Sequence, residues 1–189
     1  MGIIIEWFET TWKILVRPLP STFLNESKKS KNKLASAILW IEIGFIFLYS
    51  ANYLLFRHPE KFVTVLGVLF IMPFVFLFYV FCMNTIYMRV FHRKTSKYDE
   101  LLYSMTSIYI LFMLLLVLLS AIPMIGAYAN WVSFVYALIL LVIAVRGITK
   151  LKVWESIVTV IVSTILGGAG FLCIPAIIGS LMTTVPKVF

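Results

Sequence analysis

Apolar residues along this chain come in long blocks of about fifteen to thirty, separated by short polar stretches that are mostly basic. Blocks of that length match the ~20 residues a helix needs to cross a bilayer and exceed the stretches of a water-soluble fold. They predict an all-α integral membrane protein with five transmembrane helices, over about 35–56, 62–88, 101–122, 128–145 and 157–182. The second contains Pro73, which predicts a kink, and Pro123 ends the third. The fourth apolar run, Trp131 to Val145, has only fifteen residues. Counting Tyr128 to Asn130 and letting Arg146 snorkel brings it within spanning range.

Ahead of the spans, residues 2–16 carry Ile4, Trp7, Phe8, Trp12 and Leu15 near one helical face and Glu6, Glu9, Thr10 and Lys13 toward the other. This predicts an N-terminal amphipathic interfacial helix too short to span. Its apolar face suits either the headgroup boundary, where amphipathic rings are favoured, or the protein's own spans. Arg17-Pro18-Leu19-Pro20 then stops the helix, and 21–33 reads as a solvated basic linker. The organisation is thus a cytoplasmic segment over 1–34 and a five-span domain over 35–189.

Composition agrees, with 62% hydrophobic and 13% charged residues. The net charge of +8 resides between the apolar blocks, as topology-setting charges do, and no nucleic-acid motif accompanies it. The N-terminal segment holds six cations (Lys13, Arg17, Lys28, Lys29, Lys31, Lys33), the second loop four (Arg89, Arg93, Lys94, Lys97) and the fourth loop three (Arg146, Lys150, Lys152). Only Arg57, Lys61 and Lys187 fall on the other side. Positive loops stay inside, so the N-terminus is expected in the cytoplasm and the C-terminus outside, across the plasma membrane if the source is prokaryotic. Merging the third and fourth runs would blur the thirteen-to-three asymmetry to ten against six. No cleavable signal is read, because Glu6 and Glu9 interrupt the first apolar run.

Candidate chemistry is sparse. Glu42 is the one acidic residue well inside an apolar run, about 10 Å along the first span, and with Asn84 it forms the candidate intramembrane polar site. Ser156, Ser163, Gly167 and Gly170 recur along one face of the fifth span and predict close helix approach within the chain, a seam between copies, or a hinge at Gly167-Gly168-Ala169-Gly170. The second loop is the candidate cytoplasmic interaction surface, through Arg89, Arg93, Lys94, Lys97, Asp99 and Glu100. Asp99 and Glu100 also suit the positive end of the third helix dipole. His58 and His92 fall on opposite sides, Cys82 and Cys173 read as apolar packers, and no catalytic, metal or cofactor motif is found.

WKILVRPLPSTF before the first span, SKYDELLYSMTSIYIL entering the third, the IP of LLSAIPMIG, and VYALILLVIAVRGITKLKVWESIVTVIVSTILG across the fourth and fifth together resemble the Yip family of Ypt/Rab-interacting membrane proteins. The resemblance implies a five-span bundle with a cytoplasmic N-terminus. RPLP stands where eukaryotic members carry an acidic motif, which implies a compact prokaryotic member. The expected function is a non-enzymatic scaffold or adaptor, an accessory of membrane trafficking or export. Its expected partners are anionic headgroups, other proteins or further copies of itself. The alternative is a small transporter or channel using Glu42 and Asn84, with kinks near Pro73 and Pro175 lining a path.

Overall fold

Helices in this protein extend past the apolar runs that nucleate them. The computed structural model describes residues 2–29, 33–56, 62–120 and 126–184, and these form seven helices with no strand among the described residues. In chain order they are α1 (Gly2–Val16), α2 (Pro20–Lys29), α3 (Lys33–Phe56), α4 (Phe62–Arg89), α5 (Tyr98–Ser120), α6 (Gly126–Thr149) and α7 (Val153–Thr184). His58, Pro123 and Lys187 lie outside the described residues.

The centre is α5. Every side chain from Leu101 to Ile108 is buried, because α1, α2, α3, α4 and α6 all pack against this helix. A helix buried all round must satisfy its polar groups internally. Thr106 and Ser107 do so by donating to the carbonyls of Leu102 and Tyr103, one turn back, at 2.7 and 3.0 Å. The outermost helix, α7, packs on α4 and α6.

Three sequence expectations change. The basic linker over 21–33 is largely a helix: Pro20 opens α2, where its missing amide hydrogen costs nothing, and the Leu19 carbonyl accepts from Thr22 and Phe23. Phe23, Glu26 and Ser27 are buried, so α2 is docked, and its polar composition conceals this because two of its three inward residues are polar. The short fourth run belongs to a longer helix, since α6 continues through Arg146 with Gly147, Ile148 and Thr149 buried and Arg146 turned outward. The segment Trp131–Thr149 is long and apolar enough to cross a membrane, and is the one such helix among the described residues. Finally, α1 divides its apolar residues between two faces: Trp7 and Ile14 point inward with the polar Thr10 between them, while Ile5, Phe8, Trp12 and Val16 form an exposed stripe opposite.

The core is apolar, built from residues such as Phe23, Met83, Leu101, Leu102, Met105, Ile108 and Leu140, but the outer surface is apolar as well. Ser104, Thr106, Ser107, Ser133, Ser156 and Ser163 are inside, while large apolar side chains face outward in stripes. Leu34, Leu39, Ile43 and Ile46 line α3, Phe74, Phe78 and Phe81 line α4, Trp131, Val135 and Ile139 line α6, and Trp154, Ile157, Ile161 and Ile165 line α7.

Candidate functional site: the polar end of the bundle

The end of the bundle where α3, α5 and α7 begin and α4 and α6 finish collects the polar chemistry. Here α1 is clamped. The indole Nε1–H of Trp7 donates to Ser36 Oγ at 2.7 Å, and its ring sits 4.6 Å from Trp40 and 5.6 Å from Tyr103 between ring centres. One turn on, Thr10 donates to Glu26 Oε2 at 3.2 Å and meets the Tyr103 hydroxyl at 3.3 Å. Lys13 lies 3.7 Å from Glu26 and 3.4 Å from Glu9. One helical face is thereby tied to α2, α3 and α5 together. On the far side of α2, the Pro20 carbonyl lies so close to α6 that a Cβ at Gly147 would stand 2.2 Å from it.

Asn84 pins the next segment. It is buried near the end of α4, and its Oδ1 accepts from the Lys97 backbone amide at 2.9 Å and from Ser96 Oγ at 3.3 Å. This single carboxamide fixes the end of the loop and the start of α5, where Asp99 and Glu100 occupy the first turn. Lys97 reaches Glu100 at 2.9 Å. Burial and the adjacent Asp99 carboxylate raise the Tyr98 phenol above its ordinary pKa, and its hydroxyl donates to the Leu77 carbonyl. Between α6 and α7 the turn is three residues long. Lys150 takes a left-handed conformation, φ 56°, and its amide donates to the Arg146 carbonyl at 2.9 Å, closing α6 in the manner of a glycine cap. A non-glycine residue there costs about 1–2 kcal/mol. Glu155 then accepts from the Lys152 amide at 2.8 Å and caps α7.

Between these pieces lies a cavity of about 370 Å³. Leu24 and Lys28 come from α2, Tyr87 from α4, Arg93, Lys94, Thr95 and Lys97 from the loop, and Ile148, Thr149 and Lys150 from the end of α6 and its turn. Five basic residues from three separate segments line it.

The chain matches no protein-family model, no curated protein and no solved structure. The site therefore rests on its own geometry.

That geometry distributes the sequence candidates unevenly. Arg93, Lys94 and Lys97 line the cavity, whereas Arg89 is exposed and outside it. Asn84 holds the loop. Glu42 is half-buried on α3, two residues beyond Trp40, and makes no hydrogen bond or ion pair among the described residues. On α7, Ser156, Ser163 and Gly167 are all buried, and a Cβ at Gly167 would come 2.8 Å from the Tyr79 ring of α4. Tyr79 and Thr164 hydroxyls meet beside it at 3.3 Å. The surroundings of Gly170 and Cys173 lie outside the described side chains. Sequence reasoning missed Glu26 and Lys28, since a stretch reading ESKKSKNK has no apolar periodicity to announce a docked helix, and it did not join Lys150 to the second loop.

Proposed function

We propose that the chain is a five-span membrane protein with a cytoplasmic N-terminus, acting as a non-enzymatic scaffold of the Yip type. The observation that carries the membrane part is the apolar outer surface. Exposed apolar stripes on α3, α4, α6 and α7 would be a severe liability in water, while in hydrocarbon they are the expected outer surface. In the Trp131–Thr149 segment only 39% of the spanning window is buried, unlike the core helix of a soluble protein. The inside orientation draws support from Lys28, Arg93 and Lys150, which belong to the three basic segments assigned to the cytoplasm and share one cavity.

A scaffold role is favoured by how the buried polar groups at this end are used. Trp7, Thr10, Ser36, Glu26 and Asn84 each hold one helix or loop to another, and the result is a fixed basic platform beside the membrane. A transport path through Asn84 is disfavoured for the same reason, as its carbonyl oxygen is already engaged twice.

Crosslinking followed by mild extraction from native membranes tests the scaffold, with the chain expected in a complex larger than itself. Recovery of the monomer alone would sink that role. Vesicles showing a flux that Glu42→Gln alters would favour the transporter instead.

A further inference from the structure

We infer that the cavity between α2, the α4–α5 loop and the α6–α7 turn is a binding site for a phosphate-bearing anion. Lys28, Arg93, Lys94, Lys97 and Lys150 line it, and among the described residues no carboxylate does. Lys97 is partly neutralised by Glu100 at 2.9 Å. The carboxyl ends of α2, α4 and α6 also face this region, but each contributes only about half a negative charge against five basic residues and leaves the balance positive. Like charges gathered from three chain segments repel one another, and an anion between them removes that cost. Phosphate suits the set, because arginine offers a planar fork and lysines add point charges around it. Tyr87 and Thr95 add hydroxyl-bearing residues to the lining, with Leu24 and Ile148 as an apolar wall, while the Thr149 hydroxyl is spent on the Val145 carbonyl. The volume, about 370 Å³, exceeds what a bare phosphate fills and fits a glycerophosphate-sized group.

Position distinguishes this site from a general basic surface. Lys150 stands in a left-handed turn that glycine would occupy more cheaply, and from there it lines the cavity. Arg89 and Lys152 are equally basic and lie close in sequence, yet neither lines it. The phosphate can come from an anionic lipid headgroup or from a soluble phosphate ester. Only the lipid source rests on the membrane reading.

Equilibrium binding to the purified full chain separates these sources. Glycerol 3-phosphate is titrated into protein in neutral detergent, and short-chain phosphatidic acid into the same sample, with short-chain phosphatidylcholine as the neutral lipid comparison. Saturable binding is expected, weakened about fivefold by each of Lys28→Gln, Arg93→Gln and Lys150→Gln, and left nearly unchanged by Arg89→Gln and Lys152→Gln. Equal affinity for the ester and the lipid identifies a soluble ligand, and binding of phosphatidic acid alone identifies a headgroup. Both outcomes support the site. No binding of either probe overturns it, as do losses in Arg89→Gln and Lys152→Gln that match those of the cavity variants. Lys28 is exposed on α2, so its variant keeps the test decisive if Lys150→Gln disturbs the turn. A monomer-only result in native membranes with phosphate binding intact would fault the scaffold and leave this site standing.

Discussion

Two single residues decide how tightly the polar end is assembled. Gly147 admits the Pro20 carbonyl, and since backbone stands on both sides, no side chain can swing away to make room for a methyl group. Gly147→Ala should lower stability in detergent by about 1–3 kcal/mol, the usual cost of overpacking, and should expose α2 to protease. Gly168 is the matched comparison, with nothing near its would-be Cβ. Gly168→Ala should leave stability unchanged or raise it by up to about 1 kcal/mol through helix propensity. Thermal unfolding of the two variants side by side checks both signs. Asn84→Leu removes an acceptor from the half-buried start of α5 and should cost about 1–3 kcal/mol. Faster hydrogen exchange at the Lys97 amide would locate that loss in the loop.

At the scale of the element, α1 carries two apolar faces with different partners. Trp7 is 2% exposed and bonded to Ser36, whereas Trp12 is 65% exposed on the opposite stripe. In vesicles of brominated lipid, Trp12 fluorescence should be quenched and Trp7 fluorescence spared, read from variants that retain one or the other. Trp7→Ala should destabilise the bundle by about 3–5 kcal/mol, as for other buried tryptophans, while Trp12→Ala should leave it intact and weaken only the contact with lipid. Equal quenching of the two would show that α1 is not held as described. The helix was legible in the sequence as amphipathic, but periodicity alone does not assign two apolar faces to two neighbours. For α2 the signal was weaker still, because Glu26 and Ser27 are buried through specific bonds and close contact rather than through hydrophobicity.

For the whole molecule, the arrangement of charge makes the sharpest prediction. Single cysteines at positions 28, 97 and 150, introduced into a chain lacking Cys82 and Cys173, should all be shielded from an impermeant thiol reagent in intact cells and labelled once the membrane is opened. Labelling of position 150 alone in intact cells would remove the fourth span. The cavity makes this more than a topology test, since Lys28, Lys97 and Lys150 must share a compartment to line it.

The sequence by itself determined the helical class, the approximate place of each long helix and the gathering of positive charge between them, because block length and loop charge are properties of composition along a line. It also marked Gly167 and the serines of α7 as small. Tertiary structure alone decided that the basic segment after Pro20 is a docked helix, that Asn84 is a loop pin, and that Lys28, Arg93 and Lys150 surround one space. Those outcomes depend on distances between segments far apart in the chain, and local periodicity carries no information about which polar residue will find a partner across the bundle.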